Sequence, residues 1–376
     1  MNTAALRAWL DRWLQRQWQK RGFWMWFLSP FSLVFSLVVW MRRQKYSTRR
    51  AKQQLASSRV SVPILIVGNL YIGGTGKTPV VIALVQQLKA LGWQPGIVSR
   101  GYGTKIGAQA VTGRGQPEAQ AFGDEPALIA KDTGAPISVH PDRSLACHTL
   151  LAHYPEVDLI IADDGLQHLR LARDIEIIVQ DERGCGNDWM LPAGPLREPF
   201  SRLSLADAVV TRVTRPATAS LTSNSMTRQS ALLAGGLSHS KSPRRVSMSL
   251  SISRFQRLSG PEIKEIADFL SFTQQSRIAA VAGIATPSRF FDDLRHLGLH
   301  PALTFPFADH FSYDKGTFAA IEADIIVITG KDAVKCRSIS DPRIWIAETK
   351  MTFSDPDFLP WLDHQIKVVR ARLSRD

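Results

Sequence analysis

Ile64-Leu65-Ile66-Val67-Gly68-Asn69-Leu70-Tyr71-Ile72-Gly73-Gly74-Thr75-Gly76-Lys77-Thr78-Pro79 decides the fold. A run of four apolar residues stops at a glycine. A glycine-rich loop follows, and the pattern then turns helical, with Val80, Val81, Leu84, Leu88 and Leu91 on one stripe. Strand, loop, Gly-Lys-Thr and helix, in that order, spell a phosphate-binding loop. Glycines let backbone N–H groups turn inward around a polyphosphate, and the new helix aims its positive end at the same charge. The expected nucleotide cradle runs through Tyr71, Ile72, Gly73, Gly74, Thr75, Gly76, Lys77 and Thr78. Within it Lys77 reaches the β- and γ-phosphates, and the Thr78 hydroxyl holds Mg²⁺. The usual spacing, G-x-x-x-x-G-K-[ST], has a glycine where this chain has Tyr71. Gly73 and Gly74 supply backbone freedom two and three residues later.

Downstream, apolar strands alternate with helices. Gly96–Ser99, Pro136–Val139, Val157–Ala162, Ile175–Val179 and Ala208–Thr211 read as buried strands, with helices at Ala127–Lys131 and Arg143–His153. That alternation means a parallel sheet covered on both faces. Ligands of such sheets bind beyond the carboxyl ends of the strands. The phosphate loop, Arg100 and Asp163-Asp164 each follow a strand, so all belong on one rim. An apolar strand ending in Asp is the expected place for a carboxylate that meets Mg²⁺ directly or through water. Asp163 is therefore a candidate metal ligand, and Asp164 its neighbour in the chemistry. His168, four residues after Asp164, either orients that carboxylate or is a surface histidine. Asp124-Glu125 opens a helix, where acids also serve as ordinary dipole partners; Glu125 joins Thr78 and Asp163 as a candidate metal ligand. Arg197, in a loop dense in Pro and Gly, is either a phosphate contact or a solvated cation.

Upstream, the chain changes character. Residues 1–60 hold 12 Lys and Arg against one acid, Asp11, whereas the other 316 residues hold 34 against 32. The basic excess thus belongs to the N-terminal tail, which argues against a nucleic-acid-binding body. Leu6, Trp9, Leu10, Trp13 and Leu14 repeat at helical spacing. Phe23–Met41 then runs 19 residues without a charge, interrupted by Pro30 and flanked by basic residues, and six of the ten tryptophans lie in the first 40 residues. Aromatic and basic residues mixed in this way favour a membrane interface. A cleaved signal peptide fits poorly with Arg42-Arg43. A spanning helix, an interfacial anchor bent at Pro30 and a soluble helical hairpin remain.

Beyond the first sheet, Pro216–Leu250 is rich in Ser and Thr and reads as a linker with a few extended pieces. A second αβ set follows, with strands at Ile278–Ile284, Leu303–Phe305, Ile325–Ile328 and Ile344–Ile346, helices at Pro287–Leu297 and Leu359–Leu373, and Asp309-His310 in a loop. Thr329-Gly330-Lys331-Asp332 is expected to be structural. Cys147, Cys185 and Cys336 lack metal or disulfide spacing and read as free thiols. The fold class is α/β: a P-loop NTPase-like parallel sheet domain, a second, smaller αβ domain and an N-terminal membrane-associating helical segment. The expected boundaries are 1–58, 59–215, a linker at 216–252, and 253–376.

Eight motifs now stand in order: V-G-N-x-x-x-G-G-T-G-K-T-P at Val67–Pro79, S-R-G-Y-G at Ser99–Gly103, G-D-E-P at Gly123–Pro126, D-D-G-L-Q-H at Asp163–His168, L-P-A-G-P-L-R-E at Leu191–Glu198, A-G-I at Ala282–Ile284, D-H at Asp309–His310 and K-D-A-V-K at Lys331–Lys335. Together they closely resemble the tetraacyldisaccharide 4'-kinases, the lipid A 4'-kinases of Gram-negative bacteria, from about residue 60 to 350.

The resemblance implies transfer of a phosphoryl group from ATP, with Mg²⁺, to the 4'-hydroxyl of an acylated glucosamine disaccharide 1-phosphate. It implies two αβ domains with the active site in a cleft, on the cytoplasmic face of the bacterial inner membrane. No nucleic acid and no obligate protein partner are expected. The family's acid–histidine pair maps onto Asp124 and His310, and its second acidic motif onto Asp163, Asp164 and His168. Lys77, Asp124, Asp164, His168 and His310 are thus the candidate catalytic residues. A carboxylate accepting the hydroxyl proton and a histidine tuning it suit an alcohol nucleophile. The rival reading is a membrane-bound P-loop NTPase acting as a switch or assembly factor, with water as acceptor.

Overall fold

The computed structural model describes residues 13–14, 16–48, 59–73, 75–102, 104, 106–182, 184–213, 242–284, 286–308, 311, 313–336 and 339–375. The chain divides into two units, Met1–Ser249 with Phe353–Asp376, and Leu250–Thr352.

In the first unit the phosphate-loop strand β1 (Ile64–Gly68) is buried along its whole length. It lies between β5 (Leu159–Asp163) and β6 (Ile175–Asp181), both parallel to it. Beyond β5 come β2 (Pro95–Ser99), β4 (Ile137–Val139) and β3 (Val111–Gly113); beyond β6 come β7 (Ala208–Val213) and the start of β8 (Arg244–Arg257). β3, at the edge, runs antiparallel to β4. The register sets Val67 beside Asp163, so the loop and the acidic pair leave the sheet side by side.

The helix after the loop, α2 (Lys77–Ala90), buries Val80, Val81, Leu84 and Leu88 against the sheet. Leu91 leaves the expected stripe: the helix stops one residue earlier, and the side chain is exposed. Gly68 marks the closest approach. A Cβ there would come within 2.6 Å of Leu166 Cβ. Gly68→Ala should therefore cost about 1–3 kcal/mol by overpacking, read as a lower urea midpoint at unchanged slope. An unaltered midpoint would show that the Leu166 turn yields freely.

The N-terminal apolar stretch is one helix, α1 (Phe23–Ser47), with Pro30 inside it. Pro30 has no N–H for the Trp26 carbonyl, and the Ser29 hydroxyl donates to that oxygen instead. One stripe of α1 docks on the unit: Met25 and Ser32 are buried, and Phe35 and Val39 pack against the core. The other face bares Phe23, Trp24, Trp26, Phe27, Phe31, Leu33, Val34, Leu37, Val38 and Trp40. By length and composition this helix could cross a membrane. Of the helical repeat expected at Leu6–Leu14, Trp13 and Leu14 are helical, and Leu6, Trp9 and Leu10 lie outside the described residues.

Most of the expected linker, up to residue 241, lies outside the described residues. Its end is an extended piece, as expected, but a long one: Arg244–Leu250 and the residues after it form β8, a 14-residue strand that joins the sheet. Its first half runs parallel to β7, and it buries Val246, Met248, Ile252 and Phe255. The alternation of these residues with Ser and Arg is strand periodicity.

The second unit holds β10 (Ile278–Ala282), β11 (Leu303–Pro306), β12 (Ile325–Thr329) and β13 (Ile344–Phe353), parallel in the order β11-β10-β12-β13. Aromatic residues Phe255, Phe269 and Trp345 fill one of its cores. Asp332 is fully buried and structural, as its motif suggested. Its carboxylate accepts from Gly283 N–H and the Thr329 hydroxyl, and Lys335 pairs with it at 3.2 Å. The boundary expected at 376 for this domain instead falls at Thr352. The last helix (Phe358–Leu373) belongs to the first unit, where Trp93 donates to Asp363 and Arg370 pairs with Asp158.

Candidate functional site

The loop after β1 is built in two halves. In the first, Arg197 N–H donates to the Leu70 carbonyl and Ile72 N–H to the Pro195 carbonyl, zipping the chain to the Pro- and Gly-rich loop. Tyr71 points into the core: its hydroxyl donates to Asp181 Oδ1 at 3.0 Å and accepts from Asp181 N–H at 2.7 Å. Burial raises its pKa further, so it stays a neutral phenol. Tyr71 and Ile72, both expected in the cradle, are thus committed to bracing it. The second half has the freedom a polyphosphate needs. Gly73 and Gly76 have φ of 119° and 83°, and Gly76 caps α2. Thr75 is buried, with no partner for its hydroxyl among the described residues. Gly74 lies outside the described residues.

Charge converges just beyond. Lys77 Nζ lies 3.2 Å from Asn69 Oδ1 and 3.3 Å from Asp164 Oδ1. Arg197 approaches the other oxygen of Asp164 at 3.7 Å, so the loop arginine does reach the rim. Asp164 itself has φ of 51°, the left-handed conformation that few non-glycine residues adopt. Strain of this kind gathers at functional sites.

Asp163 is 2% exposed. Ser99 donates to its Oδ2 at 3.5 Å, and Oδ1 has no hydrogen-bond partner among the described residues. Burial pushes its pKa up to about 7, helped by the charges of Asp164 and Glu125 and opposed by Lys77 and Arg143. A buried carboxylate oxygen lacking a donor suits a hard divalent cation. Among the described residues no group of three or more His, Cys, Asp or Glu could hold a metal. Mg²⁺ takes one or two carboxylates and completes its shell with phosphate and water.

Asp124 and Glu125 open the helix Asp124–Thr133, and both are exposed. The start of this helix is set against the loop after β2, because a Cβ on Gly123 would meet the Tyr102 carbonyl at 2.9 Å. Glu125 lies near enough for its charge to raise Asp163. His310 lies outside the described residues.

His168 differs from expectation. Its Nε2 faces Asp142 Oδ1 at 3.9 Å rather than Asp164. Burial and the nearby Arg143 push its pKa down to about 4, leaving it neutral at physiological pH. It lines a pocket of about 370 Å³ with Arg42, Lys45, Tyr46, Leu169 and Arg170, beside the end of α1. Arg170 Nε donates to the Tyr46 hydroxyl there. Three cations around one hollow suit a phosphate.

Arg143 was missed in the sequence. It is buried at the start of the helix Arg143–His153, donating to the carbonyls of Pro141 and Asp164. A cation in the first turn opposes the helix dipole. That mismatch was the one available signal that Arg143 answers to the acids instead.

A family model described as Tetraacyldisaccharide-1-P 4'-kinase matches residues 24–367. A protein of Bordetella parapertussis named Tetraacyldisaccharide 4'-kinase is 46% identical over 358 residues, covering 95% of this chain and 97% of that one. One of the same name from Methylobacillus flagellatus is 43% identical over 337 residues, covering 89% and 90%. Among solved structures, the "apo" form of LpxK from Aquifex aeolicus in complex with ATP is similar in fold. Its TM-score is 0.66 at 24% identity, over 92% of this chain and 99% of that one.

Proposed function

Because this chain belongs to the tetraacyldisaccharide-1-phosphate 4'-kinase family, it is an ATP-dependent lipid A 4'-kinase, and we propose that the rim around Lys77, Asp163 and Asp164 carries its phosphoryl transfer. The observation that carries this reading is the meeting of Lys77, Asp164 and Arg197 within 4 Å where β1 and β5 end. Such transfer needs positioning and charge neutralisation more than covalent help from the protein. Backbone amides from Gly73 to Thr78 cup the phosphates, and Lys77 and Arg197 offset their charge. Thr78 and Asp163 would hold Mg²⁺, with Glu125 nearby; the ion would supply positive charge to offset that of the phosphates. Asp124 takes the proton from the sugar hydroxyl, and His310 tunes that base, as the motifs G-D-E-P and D-H imply.

The acceptor is an acylated glucosamine disaccharide 1-phosphate. The bare apolar face of α1 suits the membrane that holds such a lipid, and the cationic pocket at its end suits a phosphate on the headgroup. We place the enzyme on the cytoplasmic face of the inner membrane, where ATP is available.

The test is ATP turnover with and without detergent-solubilised disaccharide 1-phosphate. Turnover should depend on the lipid and yield a bisphosphorylated product. Asp124→Asn should lose about 10²–10⁴ in kcat, with KM for ATP little changed. Lipid-independent release of phosphate would instead favour a nucleotide switch.

A further inference from the structure

The two sides of β1 are not alike. β5, with Asp163 and Asp164, flanks one side; β6 and then β7 flank the other. On the reading above, the acids and Lys77 mark where the γ-phosphate lies. The α-phosphate and the nucleoside must then extend the opposite way, over the ends of β6 and β7. At the end of β7 stands Arg212, in register with Asp181. Its side chain lies across the phosphate loop: a Cβ on Gly76 would come within 2.8 Å of Arg212 Cδ and 3.2 Å of Nη1. The contact explains a glycine at 76 twice over, since φ there is also positive.

A guanidinium is planar, weakly hydrated and permanently charged, and it stacks on aromatic faces. We propose that Arg212 is the platform on which the adenine of ATP stacks, so that it binds the nucleoside and not the phosphate chain. The inference rests on the phosphate-loop reading and goes beyond it, because no loop motif assigns a residue to the base.

The variant to make is Arg212→Met, which keeps methylenes over Gly76 and removes the guanidinium. KM for ATP and Kd for ADP should rise roughly tenfold, with kcat at saturating ATP within about twofold. Inhibition by tripolyphosphate, which has no base, should stay at the wild-type level. Arg212→Lys should recover only part of the ADP affinity, because an ammonium lacks the flat fork. Equal weakening of ADP and tripolyphosphate would overturn the proposal and make Arg212 a phosphate ligand; unchanged ADP binding would overturn it outright. Lys77→Ala separates the two layers of the argument. If it leaves tripolyphosphate inhibition intact, the loop reading fails, whatever Arg212 does.

Discussion

Lys77→Ala should lower kcat/KM for ATP by at least about a thousandfold, the scale on which a single cation acts on a transferring phosphoryl group. The geometry accounts for both the size and the selectivity. Lys77 is held between Asn69 and Asp164 at hydrogen-bonding distance, so its ammonium is aimed before any nucleotide arrives. Alanine removes that charge and leaves Arg197 at 3.7 Å as the nearby partner of Asp164. The Asp164 side chain is 38% exposed, so water can satisfy what Lys77 vacates and the fold should survive. Urea melts within about 1 kcal/mol of wild type should therefore accompany the loss of turnover. A wild-type rate would remove the phosphate loop from the mechanism.

Asp163→Asn should move activity and stability in opposite directions. Turnover should fall by about 10³-fold, since an amide is a poor ligand for a hard cation where a carboxylate is needed. The protein without nucleotide or metal should meanwhile become more stable at pH 8. The folded protein holds the Asp163 proton up to about pH 7, whereas an unfolded aspartate releases it near 4. Unfolding therefore sheds a proton between those values, and stability declines as pH climbs from about 4 to 7, then levels off. Three pKa units set an upper limit of about 4 kcal/mol; relaxation and water entry make about 1–3 kcal/mol the expected gain for asparagine at pH 8. Little gain should remain at pH 3, where both states are largely protonated. An equal change at both pH values would mean that packing, and not the buried charge, is what the substitution alters.

Much of the fold was legible because its strands are buried on both faces. Ile64–Val67, Leu159–Ala162 and Ile325–Ile328 are continuous apolar runs, and such runs announce a parallel sheet. β8 was legible only as an extended piece within a linker, because its apolar residues alternate with Ser and Arg and composition masked its length. The terminal helix was legible as a helix but not by its partner, since Trp93 and Asp158 lie more than 200 residues earlier.

The site divides in the same way. Lys77, Asp163 and Asp164 follow from local order, strand then loop then acid. Tyr71 does not: whether it faces a phosphate or the core depends on Asp181, 110 residues away. His168 follows Asp164 in sequence, yet its ring turns to Asp142, because the turn after β5 reverses the chain between them.

Ser32 sits midway along the apolar helix α1, and its hydroxyl donates to the Met190 carbonyl and accepts from Ala193 N–H. Those two groups belong to the stretch that carries Arg197 to the rim, so the N-terminal helix and the proposed site share a mechanical linkage. Trimming away the greasy N-terminus to gain solubility would unpin that stretch at its root. A truncated enzyme should then turn over more slowly even on substrate fully dispersed in micelles, where no bilayer is left to be missed.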